Sequence, residues 1–227
     1  MKPAVKRQRG PMPIVLMTGF APFGGEAINP SWLAVRVFQG RRMCGHRIVT
    51  AMLPTEFARS LSELRKLLKL HKPALVVCVG QAGGRSDISL ERVAINVDDA
   101  RIADNAKQRP VDKPVVRGGP VGYFSTLPIK AMMRAMQQAE CHADVSQTAG
   151  TFVCNHVFYG LMHELAHRRA LKHSRGGFIH VPYMPVQSAP IGAPGMALQE
   201  MIEGLQAGLR AALSTQTDLA LAGGALN

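Results

Sequence analysis

The sequence predicts an α/β protein, a three-layer α/β/α sandwich around a mostly parallel central sheet, and three observations carry that prediction. Short apolar runs of strand length recur along the chain: "PIVLMTG" (13–19), "HRIVTAMLP" (46–54), "PALVVCVG" (73–80) and "GGFIHVP" (176–182). Amphipathic segments of helix length alternate with them, as in "TEFARSLSELRKLLKLH". The runs are apolar nearly throughout, which fits strands covered on both faces by helices.

Taken in order, residues 1–12 are basic and lack the apolar core of a signal peptide, so they read as a disordered lead-in. The first strand ends in the loop "FAPFGGEAINP", and "SWLAVRVFQ" then has a helical pattern. After the second strand, the segment from Thr55 to His71 places Phe57, Leu61, Leu64 and Leu68 on one stripe, with Glu56 in its first turn. The third strand runs into "QAGGRS", and "ISLERVAIN" (88–96) reads as a fourth strand. Residues 97–124 are rich in Pro, Gly and Asp and look like a long excursion. A helix near 126–139, a strand at "ADVSQ", a helix from Cys154 to about His167, the strand at 176–182 and a helix over 195–213 complete the pattern. The organisation expected is a single domain over 13–213 with a flexible tail over 214–227.

The 227 residues are 47% hydrophobic and 19% charged, which suits one compact core. The formal charge of +12 raises a nucleic-acid reading. The basic residues are spread over several segments, and aromatics make up only 5% of the chain, with no stacking motif. Solvated helix faces account for the charge, so no nucleic-acid partner is expected. No apolar run reaches the length of a membrane span, and no membrane partner is expected either. Cys44, Cys78, Cys141 and Cys154 are scattered, without C-x-x-C or paired zinc-ligand spacing. They read as free thiols of a cytoplasmic protein.

In parallel sheets of this kind ligands bind beyond the carboxyl ends of strands. The loops at 19–29, 80–87, 148–154 and 180–187 are therefore the ones to search. Gly19 and Gly24 have Walker-A spacing, but Gly25–Glu26 stands where Lys–Ser/Thr is required. "GQAGGR" (80–85) is not G-x-G-x-x-G. No nucleotide cofactor is expected. His163–Glu164–Leu165–Ala166–His167 is a full formal match to the H-E-x-x-H zinc motif. The helix end that carries it is strongly basic, through Arg168, Arg169, Lys172 and Arg175, which disfavours a dication, and no metal is assigned.

The segment "TAGTFVCNHVFYG" (148–160) raises the question of a nucleophile. Cys154 falls where a strand-like stretch gives way to a helix, and unpaired N–H groups there would lower a thiol pKa and bind an oxyanion. The residue alone allows either a nucleophile or an inert buried cysteine. His156, two positions on, points to the other side of a helix and cannot serve the thiol. His180 ends a strand at the correct edge of the sheet. Glu91 places charge inside a strand and is either the group that orients His180 or a surface partner of Arg92.

Four stretches together settle the choice by resemblance. "TGFAPFGG…NPSW", "GQAGGR…ERVAINVDDARIADN", "TAGTFVCNHVFYGL" and "GGFIHVPY" closely resemble the pyroglutamyl peptidase I family of cysteine peptidases, in order from about residue 14 to 210. The resemblance implies a cysteine exopeptidase that hydrolyses the bond after an N-terminal pyroglutamyl residue through a Cys–His–Glu triad and a thioester acyl-enzyme. It assigns Cys154 as nucleophile, His180 as general base and acid, and Glu91 as the orienting carboxylate. It sets Arg101 near the reacting carbonyl, makes Phe20, Phe23 and Phe152 the flat walls for a lactam ring, and makes Gln81 the polar partner of that ring. It further implies no cofactor and a cytoplasmic homotetramer. Ala103, where the family often has proline, is a departure that removes no chemistry. The competing reading on the same scaffold is a non-catalytic lactam- or peptide-binding protein.

Overall fold

The computed structural model describes residues 12–223, so the expected disordered lead-in lies, but for Met12, outside the described residues, as do residues 224–227. Nine strands and six α-helices follow one another: β1 Ile14–Phe20, α1 Pro30–Arg36, β2 Arg42–Met43, β3 His46–Leu53, α2 Phe57–His71, β4 Leu75–Gln81, β5 Ile88–Glu91, β6 Val93–Ile95, β7 Gly122–Phe124, α3 Ile129–Gln138, β8 Ala143–Ser146, α4 Val153–His167, β9 Arg175–Val181, α5 Pro185–Ser188 and α6 Leu198–Ser214 among the described residues. The central sheet has seven strands in the order β2-β3-β1-β4-β9-β5-β8. Pairing is parallel between β3, β1, β4 and β9, and β5 runs antiparallel to β9. The three-layer, mostly parallel sandwich is thus the observed architecture.

Period-two alternation divides the core in two. Val15, Met17, Val77, Val79, Ile179 and Val181 meet one helical layer, where α3 and α6 bring Met132, Met136, Leu205 and Leu209. Leu16, Phe20, Val76, Cys78 and Phe178 face the other, with Leu61, Leu64 and Leu68 of α2 and Phe158 and Leu161 of α4. Each such fully buried side chain stabilises the fold by about 1.5–3 kcal/mol. The two helices of the second layer approach closely at Gly160, where a Cβ would stand 2.4 Å from Leu61 Cδ1.

The expected strand over 88–96 is two strands in two sheets. Arg92 N–H donates to Ser146 O at the end of β8, and Ser125 N–H donates to Arg92 O. The chain leaves the central sheet there, and β6 pairs antiparallel with β7. The excursion that follows is pinned at several points. Asp104 Oδ2 accepts from Phe57 N–H at 2.9 Å, capping α2 from a remote loop because Glu56 makes no side-chain cap there. The same carboxylate accepts from Ala106 and Gln108 N–H. At the other end of the chain, Asp218 accepts from Lys130 and Ala131 N–H at the start of α3, and Arg92 Nη2 donates to Gly223 O.

Candidate active site

Cys154, His180 and Glu91 stand on one face at the carboxyl end of the sheet. Cys154 is the second residue of α4, whose N-cap, Phe152, contributes no side-chain bond to the free N–H groups of the first turn. The thiol reaches the sheet over Gly80, where a Cβ would lie 2.8 Å from Cys154 Sγ and 2.8 Å from the Phe178 ring. Only a glycine admits that approach. Gly80 is the register partner of His180 on β9, so the imidazole stands on the face of the sheet that the thiol approaches.

His180 Nδ1 lies 2.7 Å from Glu91 Oε1. A carboxylate only accepts, so Nδ1 carries the proton and Nε2 is left as a base. Ser89 and Glu91 of β5 lie on the face of the sheet that carries Phe178 and His180, and the Phe178 ring supports His180 at 4.9 Å between centroids. Glu91 is fully buried.

The partner that offsets Glu91's charge is Arg85, not Arg92. Arg85 Nη1 donates to Glu91 Oε1 at 2.7 Å and Nη2 donates to Thr148 O at 3.0 Å. Arg92 instead donates to Gln147. Burial works against the Glu91 carboxylate, yet the hydrogen bond and charge of His180 and the Arg85 guanidinium outweigh it and hold its pKa below the ordinary value. Arg85 closes the "GQAGGR" loop, and sequence pattern gives its guanidinium no role. The signal available was the buried carboxylate, which needs a cation within reach.

The helix start does not leave a low thiol pKa. Burial, and then the Glu91 carboxylate, push the Cys154 thiol up to about 12, with Arg85 opposing. A thiol held there stays protonated near neutral pH. Cys78, mid-strand and fully buried, is also pushed up to about 12 by burial.

Phe23 and Phe152 line a cavity of about 700 Å³ together with Arg101, Ile102, Asp99 and Thr151. Their rings are 6.0 Å apart, and Phe57, which the sequence reading left in the core, stands edge-on to Phe152 at 5.3 Å. Phe20 is buried beside Phe178 at 6.2 Å. The loop behind it is tied by Asn29, which accepts from Ser31 N–H and donates to Ala21 O, while Ser31 Oγ accepts from Phe20 N–H.

The Gln81 side chain is not brought to this cavity. It follows Gly80 on β4, so it points to the opposite face of the sheet, where its Oε1 accepts from Gln187 Nε2 at 3.3 Å. What Gln81 presents at the strand end is its main chain, beyond the Thr18–Cys78 pair where β1 and β4 stop pairing.

His156 is buried away from the thiol, its Nδ1 2.9 Å from Asp98 Oδ2. Asn155 clamps the helix start to the excursion, its side chain accepting from Ile95 N–H and donating to Ile95 O and Val97 O. In the "HELAH" segment, Glu164 is taken by Arg65 and Arg168, and His163 and His167 lie at the far end of α4 from Cys154. That glutamate is unavailable as a base for a zincin-type centre.

A thiol at the first turn of a helix, beside an imidazole backed by a buried carboxylate on an α/β/α sandwich, defines a cysteine hydrolase. Comparison with known proteins narrows that class. The chain belongs to the pyroglutamyl peptidase family, whose model matches residues 13–215. It is 54% identical to pyrrolidone-carboxylate peptidase 1 of Ralstonia nicotianae, over 95% of this chain and 100% of the relative. It is 48% identical to a pyrrolidone-carboxylate peptidase of Bacillus cytotoxicus, over 94% of this chain and 99% of the relative. The crystal structure of pyroglutamyl peptidase I from Bacillus amyloliquefaciens is similar with a TM-score of 0.89 at 45% identity, covering 92% of this chain and 99% of that one. A mutant pyrrolidone carboxyl peptidase from the hyperthermophile Pyrococcus furiosus has a TM-score of 0.85 at 39% identity, covering 88% and 98%.

Arg85→Met should make the protein more sensitive to acid. Glu91 has a depressed pKa in the folded state, so its stabilisation is present above its unfolded pKa and lost as pH falls through the folded one. Removing Arg85 raises that folded pKa, and the midpoint of acid unfolding followed by circular dichroism should move to higher pH. An unmoved midpoint would mean that Arg85 contributes nothing to the charge state of Glu91.

Proposed function

We propose that this cysteine exopeptidase cleaves the bond after an N-terminal pyroglutamyl residue with Cys154 as nucleophile, His180 as base and acid, and Glu91 as the group that orients His180. The observation that carries this reading is the Glu91–His180 contact of 2.7 Å on the face of the sheet where Cys154 stands over Gly80. His180 Nε2 takes the thiol proton as Sγ attacks the pyroglutamyl carbonyl, and the free N–H groups of the α4 first turn stabilise the oxyanion. The proton returns from His180 to the leaving amine, leaving a thioester that water hydrolyses with His180 again as base. Arg101, which lines the same cavity as Phe23 and Phe152, serves near the reacting carbonyl, and Phe20, Phe23 and Phe152 supply apolar walls for the ring. The main-chain N–H and C=O of Gln81, rather than its side chain, match a lactam.

The same reading makes the protein a cytoplasmic homotetramer that uses no cofactor and no nucleic-acid or membrane partner. Among the described residues no helix is long and apolar enough to cross a membrane, and the four cysteines are free. Val121, Phe124, Val186 and Ile191 are exposed apolar side chains available to such an assembly. Residues 13–213 are read as one peptidase domain.

The test is the ratio of kcat/KM for pyroglutamyl and prolyl amides of one chromophore. Proline offers nearly the same ring but no lactam oxygen, and it carries a charged amine that would be buried unpaired. An unpaired buried polar group costs about 1–3 kcal/mol and a charged one more, so the pyroglutamyl amide should win by about a hundredfold or greater. Gln81→Leu should leave most of that preference in place, since its side chain lies across the sheet. Comparable rates on the two amides would overturn the pocket assignment.

A further inference from the structure

The "HELAH" segment is not absorbed by the peptidase reading. His163 and His167 sit one turn apart at the carboxyl end of α4, their rings 4.2 Å apart between centroids and 28° from parallel. At about 1.5 Å rise per residue they are roughly 14–20 Å along the helix from Cys154. They belong to a different place on the molecule.

Each ring is held by its Nδ1. His167 Nδ1 is 2.9 Å from His163 O, and a carbonyl only accepts, so the proton is on Nδ1 and the lone pair is on Nε2. His163 Nδ1 is 3.0 Å from Tyr123 Oη, which can accept the corresponding N–H. Tyr159 Oη, whose ring stacks beside His163 at 6.3 Å, is engaged with Pro120 O at 2.6 Å. Metal-bound histidines carry this same support: one nitrogen donates to a carbonyl or similar oxygen, which fixes the tautomer and turns the other nitrogen to the metal.

We propose that His163 and His167, oriented by Tyr123 and by the His163 carbonyl, form a two-imidazole site for a borderline transition-metal cation such as Cu²⁺, Ni²⁺ or Zn²⁺. The remaining coordination positions go to water, because Glu164 is engaged with Arg65 and Arg168, a pairing that offsets part of the positive charge counting against a dication at this helix end. The site is therefore a clip on the last turn of α4, with no carboxylate base beside it and no hydrolytic role. Imidazole ligands suit these metals, and the Irving–Williams order places Cu²⁺ above both Ni²⁺ and Zn²⁺.

The test uses the full-length untagged chain with Cys44→Ser and Cys154→Ser, which removes the exposed thiol and the half-buried one that would compete for soft metals. Titration with Ni²⁺ or Cu²⁺ alone should give one equivalent bound, with Cu²⁺ the tighter. His167→Ala should weaken binding at least about tenfold, Tyr123→Phe should weaken it about tenfold through loss of the orienting hydroxyl, and His173→Ala should have no effect. Ni²⁺ should raise the melting temperature of the parent and not that of His167→Ala, because only the parent gains from binding. His167 is exposed, so its variant is expected to fold and, with Cys154 restored, to keep peptidase activity. Equal binding by His167→Ala, unchanged affinity in Tyr123→Phe, or no Ni²⁺ bound by the parent would each overturn the proposal.

Discussion

Replacing Cys154 with serine should leave a folded protein whose kcat for a pyroglutamyl amide is lower by about ten-thousandfold or more. Serine is close to isosteric and half-buried at this position, so melting temperature should hardly change. The reason for the large loss is the proton. In the proposed mechanism His180 has to remove it from a thiol that burial pushes up to about 12, and an alcohol holds its proton far more tightly. Alkylation provides the companion measurement. Modification of Cys154 should track loss of activity and should collapse in His180→Ala, since little thiolate exists without a base. Cys44 is exposed and should react at an ordinary rate in both proteins, while the fully buried Cys78 should not react in either. A Cys154→Ser enzyme with parental turnover would remove the mechanism.

His180→Ala should lower kcat/KM by about a thousandfold, within the range general acid–base catalysis supplies. His156 provides the contrast, since it is also a buried histidine paired with a carboxylate, on the same helix as the thiol. His156→Ala deprives Asp98 of its partner and should lower the melting temperature, with activity per folded molecule largely kept. Glu91→Gln should fall between the two. Arg85 donates to the same oxygen as His180, which favours the amide oxygen rather than the amide nitrogen at that place. The imidazole then keeps its tautomer and loses only the stabilising charge. Equal losses in the His180 and His156 variants, both folded, would show that the base has been assigned wrongly.

The parts of this molecule that were legible in the sequence are those governed by local pattern. The apolar runs at 14–20, 75–81 and 175–181 are strands buried on both faces, the run at 46–53 is a strand nearer the sheet edge that buries Ile48, Val49 and Leu53, and the stripe from Phe57 to Leu68 is the inner face of α2. Motif and strand ends together pointed to Cys154, His180 and Glu91. What pattern could not show was direction and distance. The split at Arg92 depends on Ser146 and Ser125, far away in sequence, and no propensity marks it. Gln81 lies at the expected strand end, yet period-two alternation counted from Gly80 would have placed its side chain across the sheet from Cys154. The thiol pKa depends on how deeply the fold buries Sγ, and a helix start by itself points the other way. Arg85 became visible only once Glu91 was known to be fully buried and in need of a cation.

The capping of α2 by Asp104 ties two kinds of failure together. The loop that carries this carboxylate follows directly on Arg101 and Ile102, which line the cavity, and Asn105 fastens it to Pro22 and Thr55. If that loop detaches as a sub-global opening, the first turn of α2 loses its cap and the cavity loses a wall in the same event, while the central sheet remains intact. Heat or mild denaturant should then silence the enzyme before the sheet melts. The margin between inactivation and global unfolding is then set by the hydrogen bonds of Asp104 and Asn105.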